Sequence, residues 1–269
     1  MTLVQSLRII RRLIGIDLST AMIYRSEFLL YMISAVLGPT ISLMIWRTAL
    51  SSGADLPVDA EYLTTYFVLL GIVSMLTSSW ISGFLAEEIR LGRLSIWIVR
   101  PGSTHFNGIA NNLSEKVVKG IALVPLIGGV GWFVRDAIAL PSDPARWAMF
   151  GLSVVAAAVM VYAITVMVGS LAFWLDDVTG IDRGRNLIMT VLRGQLVPLA
   201  LFPVWSRDIM DVQPFRFTLS FSLELVIGDL SRRELIIGMT LQMLYATLFL
   251  FAAVRIWQRG LRSYTAAGA

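Results

Sequence analysis

The sequence predicts an all-α polytopic membrane protein of six transmembrane helices, and two observations carry that expectation. Long apolar stretches run over 28–50, 62–84, 117–139, 147–175, 187–205 and 235–257, separated by short polar breaks. A helix needs about 20 apolar residues to cross a hydrocarbon core about 30 Å thick, and each stretch reaches or nearly reaches that. The composition agrees: 57% of the 269 residues are hydrophobic and 15% are charged, which leaves little polar surface for a soluble domain. The chain reads as a single transmembrane domain over residues 1–269.

Before the first span, Leu3, Leu7, Ile10, Ile14 and Leu18 recur at helical spacing while Arg8, Arg11 and Arg12 cluster opposite them. That pattern suits an amphipathic helix over 1–25 lying in the membrane interface, a frayed polar leader being the alternative. It lacks the compact apolar run and small-residue cleavage site of a signal peptide. In the span 28–50, Pro39 removes one backbone donor and is expected to bend the helix. An acidic turn of Asp55, Asp59 and Glu61 follows. The second span is rich in hydroxyls at Ser74, Thr77, Ser78, Ser79 and Ser82. Such groups bond the i−4 carbonyl or a neighbouring helix, so packing and substrate contact are both open readings.

Residues 86–101 form an amphipathic segment, with Glu87, Glu88, Arg90 and Arg93 on a charged edge and Ile89, Leu94, Trp97 and Ile98 on an apolar one. This suits docking on a soluble partner or lying flat on the membrane. The third span contains Pro125 and the run Gly128-Gly129-Val130-Gly131, which is no phosphate loop because no strand precedes it. Asp143-Pro144 starts a capped helix leading into the fourth span, and Asp176, Asp177 and Asp182 mark the turn after it. Beside Arg183 and Arg185 these carboxylates read as a solvated turn rather than a metal site. The fifth span carries Arg193, Gln195, Pro198 and Pro203, and polar groups inside a membrane tend to face a cavity or a partner. Residues 206–231 are too interrupted to cross: Pro214 and Gly228 divide them into pieces suited to an external re-entrant hairpin. The last span ends at a basic anchor from Arg255 to Arg259.

Arg and Lys alternate in density between successive loops. With Arg193 left out because it sits inside a span, fourteen fall on the side of the N-terminus, of the 86–119 and 176–185 stretches and of the C-terminus, against seven on the other. The positive-inside rule then puts both termini in the cytoplasm. The net charge of +4 is assigned to anionic lipid headgroups and not to nucleic acid, because the basic residues flank apolar spans.

Several chemistries are excluded. Cysteine is absent and His105 is the only histidine, so thiolate sites, paired-His metal sites and a Ser–His pair in the membrane do not arise. There is no His-Glu-x-x-His helix and no Walker A sequence, so any ATP must be bound elsewhere. No carboxylate lies deep in a span and no inverted repeat is visible, both of which argue against an ion-coupled carrier.

Two stretches carry a resemblance to a known family. One is Gly92-Arg93-Leu94-Ser95-Ile96-Trp97-Ile98-Val99-Arg100-Pro101, similar to a Gly-x-Leu segment ending in Arg-Pro. The other is Val197-Pro198-Leu199-Ala200-Leu201-Phe202-Pro203-Val204-Trp205, followed by Gln213-Pro214-Phe215-Arg216 and Ile227-Gly228. The chain resembles the membrane permease subunit of bacterial type-2 ABC exporters, in the branch often encoded as permease pairs beside an ATPase. The departure is Gln213, where that family often has leucine.

The resemblance implies the type-2 exporter fold: a connecting helix over 1–25, a coupling helix over 86–101 and an external re-entrant segment over 206–231. It assigns ATPase coupling to Glu87, Glu88, Arg90, Gly92, Arg93, Arg100 and Pro101. It places Tyr66, Ser74, Thr77, Ser78, Arg193 and Gln195 along the substrate pathway. It places Pro198, Pro203, Trp205, Pro214, Phe215 and Phe217 in the external gate and re-entrant region, where Trp205, Phe215 and Phe217 would form an apolar gate, aromatic packing at the interface being the alternative. It further implies that the chain is not itself an enzyme and binds no cofactor. ATP and Mg would sit on two copies of a partner ATPase, and a second copy or a related permease would complete the pathway. The expected location is the bacterial inner membrane, and the expected cargo an amphipathic or hydrophobic drug, lipid or glycan-lipid. An ATP-independent scaffold of an envelope complex is the competing class.

Overall fold

The computed structural model describes residues 3–23, 25–95, 104–133, 138, 140–228 and 230–264, and these contain helices and no strand. We number the helices α1 (Leu3–Ile23), α2 (Arg25–Ser51), α3 (Ala60–Thr77), α4 (Ile81–Arg90), α5 (Thr104–Phe133) and α6 (Pro144–Ser170). They continue with α7 (Thr179–Leu192), α8 (Arg207–Val212), α9 (Ser220–Ile227) and α10 (Arg232–Ser263). Among the described residues four segments are long and apolar enough to cross a membrane: Met32–Ser51, Ala60–Arg90, Pro144–Phe173 and Arg232–Ser263.

The helix starts follow from local chemistry. The Asp59 carboxylate accepts the Tyr62 amide at 2.7 Å to start α3, and Asp143 accepts the Ala145 amide at 2.9 Å ahead of Pro144 in α6. At α10, Ser231 and Glu234 bond each other's backbone in a capping box, satisfying two amides that the helix leaves unpaired. Pro39 lies inside α2, whose helical assignment runs through it.

Three expected helices are broken. The second span, 62–84, falls within the candidate span Ala60–Arg90, but inside it α3 ends at Thr77, Ser78 turns extended, and α4 begins at Ile81. At the break Thr77 donates to the Val73 carbonyl at 2.9 Å and Ser78 to the Met75 carbonyl at 2.8 Å, while Lys116 and Thr165 bond the Ser78 carbonyl and Ser79 Oγ. The expected fifth span over 187–205 is no single helix, because α7 ends at Leu192. Gly194 follows with φ +79°, and short 3-10 turns occupy 199–201 and 204–206. Pro198 and Pro203 supply no amide to a longer ladder. The expected single coupling helix over 86–101 is interrupted too: α4 ends at Arg90 and Gly92 takes φ +71°. The third stretch, 117–139, falls within α5 as far as Phe133, and the remainder lies largely outside the described residues.

At the centre stands α6, packed against α10, α4, α9 and α3. Its buried face is rich in small residues (Ser153, Ala156, Ala157, Ala163, Gly169), which let backbones approach closely. In lipid such packing, rather than escape from water, holds helices together. On α3, Leu63, Tyr66, Phe67 and Leu70 pack with Leu219 and Leu223 of the 206–231 segment. Outward faces are apolar as well, with Leu37, Ile41 and Met44 exposed on α2 and Ile121 on α5, the surface that a hydrocarbon solvent accepts.

Candidate functional site

The charged pole of the molecule gathers around the end of α4. Arg93 donates from its terminal nitrogen to Glu87 Oε1 at 2.9 Å and pairs through Nε with Glu88 Oε1 at 2.8 Å. Glu87, Arg90 and Arg93 are exposed, whereas Glu88 is buried. The apolar edge of the same segment turns inward: Ile89 and Leu94 join Leu85, Ala163 and Trp257 in one cluster. The expectation that this edge stays free for a partner or the membrane is therefore corrected for those two residues; of the charged edge, Glu87, Arg90 and Arg93 face out. Trp97, Ile98, Arg100 and Pro101 lie outside the described residues.

Next to α4 lies the turn after α6. A cleft of about 330 Å³ is lined by Glu87 and Arg90 on one side and by Asp176, Asp177, Asp182 and Arg183 on the other. Asp182 pairs with Arg185 at 2.9 Å, and Asp177 accepts the Thr179 amide at 2.8 Å. Bonds from the Thr179 hydroxyl and amide hold the Asp177 carboxyl below the usual carboxylate range. Among the described residues no cluster of His, Cys, Asp or Glu is arranged to hold a metal ion.

Deeper in the bundle a chain of polar bonds ties α3 to the stretch after α7. Tyr66, fully buried, donates to the Gly194 carbonyl at 2.8 Å, and its oxygen lies 3.0 Å from Ser220 Oγ. Ser220 donates to the Arg193 carbonyl at 2.7 Å. The Arg193 guanidinium bends to Gln195 Oε1, with Nε at 3.0 Å. A side chain at Gly194 would collide with the Ser220 hydroxyl at 2.1 Å, so both the positive φ and the lack of space require glycine. The structure thus brings Tyr66, Arg193 and Gln195 to one place. Ser74 and Thr77 lie further along α3 and Ser78 just past its end, with Thr77 and Ser78 bonded to α3 carbonyls and Ser74 Oγ buried without a partner among the described residues.

The expected external gate is dispersed. Trp205 is 81% exposed, whereas Phe217 is fully buried against Phe221 and Met160. Phe215 packs on a different cluster, with Ile164 and Met189. Pro198 is buried and Pro203 exposed, and each precedes a 3-10 turn. Pro214 follows the end of α8, where Gln213 receives the Phe215 amide at 2.7 Å and donates to the Leu192 carbonyl at 2.7 Å. What anchors this segment is an ion pair the sequence reading passed over. Arg216 bonds Glu224 (Nε–Oε2, 3.2 Å) and lies 3.4 Å from Asp211. Burial pulls the Arg216 guanidinium down, but Glu224 and then Asp211 lift it above its ordinary value. The signal was available: an Arg and a Glu eight residues apart in an otherwise apolar stretch.

Lys116 is the second missed residue. Its ammonium donates to the Ser78 carbonyl at 2.5 Å, satisfying an acceptor freed where the second span breaks. From sequence it counted only as loop charge. A family model described as ABC-2 family transporter protein matches residues 59–268. No curated protein matches the chain.

Proposed function

The chain belongs to the ABC-2 transporter family as a membrane permease component of an ABC transporter, and from that premise we propose an ATP-driven exporter. It moves an amphipathic or hydrophobic substrate (a drug, a lipid or a glycan-lipid) out of the cytoplasm or inner leaflet of a bacterial inner membrane. ATP and Mg are bound by two copies of a partner ATPase, and a second copy of this chain or a related permease completes the route. Both termini are cytoplasmic.

The observation that carries this reading is the division of labour at the end of α4. The apolar edge is anchored in the bundle through Ile89 and Leu94, while Glu87, Arg90 and Arg93 stay at the surface. An exposed ion pair contributes about 0–1 kcal/mol, so folding gains little from keeping these charges there. They suit a soluble partner's complementary surface. ATP binding draws the ATPase subunits together and pushes on this edge. The push passes to α6, because α4 touches it closely: a side chain at Gly169 would lie 2.8 Å from the Ser82 carbonyl oxygen. The break at 78–80 separates this lever from α3, which carries Tyr66 toward Arg193 and Gln195 on the proposed substrate path.

Purification of the tagged protein from its native membrane in mild detergent, with mass spectrometry of bound proteins, is expected to recover a Walker-A ATPase. Glu87→Lys, at an exposed position, is expected to insert normally, yet to leave ATP hydrolysis without transport. Normal transport with normal ATPase association in that variant would remove the coupling role from this segment.

A further inference from the structure

A groove of about 400 Å³ runs beside α2, between that helix and the faces of α3 and α5. Its walls are apolar, formed by Ala35, Pro39, Leu43, Phe67, Val68 and Ile127. Proline has no amide to give the Ala35 carbonyl and crowds it, and both residues line the groove. From Ala35 to Thr48 it follows α2 for about 20 Å at 1.5 Å per residue, longer than one leaflet of a hydrocarbon core about 30 Å thick.

One end is different. Arg47 and Thr48 close the groove where α2 approaches the 51–59 turn. The Arg47 side chain is exposed, and among the described residues neither its guanidinium nor the Thr48 hydroxyl has a hydrogen-bonding or ionic partner. An apolar channel that ends in a free cation and a free hydroxyl has the polarity of one particular ligand. The guanidinium fork matches phosphate oxygens, and cations at the ends of spans favour anionic lipid.

We propose that this groove is a binding site for an anionic phospholipid, with one acyl chain lying along α2 past Pro39 and the headgroup phosphate held by Arg47 and Thr48. The occupant is a lipid of the surrounding bilayer, bound whether or not the protein transports. It fixes α2 against α3 and α5 where Pro39 weakens the helix.

The test titrates the delipidated full-length protein in detergent with phosphatidylglycerol or phosphatidylcholine of equal chain length, counting bound lipids by native mass spectrometry. Phosphatidylglycerol is expected to bind more tightly. Arg47→Gln is expected to weaken phosphatidylglycerol about tenfold, the loss of one charge-assisted contact, and to bring it near phosphatidylcholine, whose choline cation already offsets its phosphate charge. Thr40→Trp, which fills the groove wall, is expected to remove both lipids. Equal binding of the two lipids by the native protein overturns the proposal, as does unchanged phosphatidylglycerol binding by Arg47→Gln. A Thr40→Trp protein that keeps its lipids but shifts between monomer and dimer mass also overturns it, giving the groove to a second copy. Arg47→Gln alters an exposed side chain and decides the matter if Thr40→Trp does not fold.

Discussion

Tyr66 shows how one hydroxyl organises several elements. It sits on α3 yet bonds a carbonyl 128 residues away in sequence and contacts a serine 154 away, so a single side chain fixes the turn after α7 to α9. Polar contacts of this kind in membrane bundles are worth about 0.6 kcal/mol on average, up to about 1.7. Tyr66→Phe is accordingly expected to lower stability by about 1 kcal/mol, read from the unfolding midpoint in detergent. Gly194→Ala should cost more, because it meets Ser220 and Tyr66 at once and must hold φ +79°. If the two substitutions prove equal and small, this network is not what holds the turn.

The second stretch of apolar residues is two helices packed against different partners. Its upper part, α3, is fixed to the 206–231 segment through Leu219 and Leu223. Its lower part, α4, is fixed to α6 and α10 through Leu85, Ile89 and Trp257. Lys116 from α5 and Thr165 from α6 reach the three-residue break between them, bonding the Ser78 carbonyl at 2.5 Å and Ser79 Oγ at 3.0 Å. Gly169→Val tests the lower contact, since its side chain would drive α4 and α6 apart against backbone atoms. The expected outcome is a destabilisation of about 1–3 kcal/mol and, in the assembled transporter, ATP hydrolysis that yields less transport.

At the scale of the whole molecule the proposed orientation is directly testable, because the chain has no cysteine of its own. A single Ser52→Cys, in the exposed turn after α2, is expected to react with a membrane-impermeant maleimide in intact cells. Asp176→Cys, exposed beside α4, is expected to react only after permeabilisation. The reverse pattern inverts the topology and removes the α4 surface from the ATPase side. The apolar outward faces of α2 and α5 and the scarcity of tertiary contact around α7 leave these helices to lipid or to a second permease.

The class of the molecule was legible in the residues, since a hydrocarbon solvent demands helices and long apolar runs whatever their packing. The helix start at Asp143 was equally local, and so were the breaks at Pro214, which has no amide to give, and at Gly228, where α9 ends. The family was visible in the short segments around Gly92 and Pro198. Periodicity had no means of showing that the second span breaks after Thr77, because hydroxyls suit an intact helix as well as a broken one until Lys116 and Thr165 arrive from elsewhere. Nor did it show that Trp205, Phe215 and Phe217 part company, or that Tyr66 meets Gly194. Those outcomes depend on which distant surfaces compete for each side chain, and that competition is settled only when α6 assembles the other helices around it.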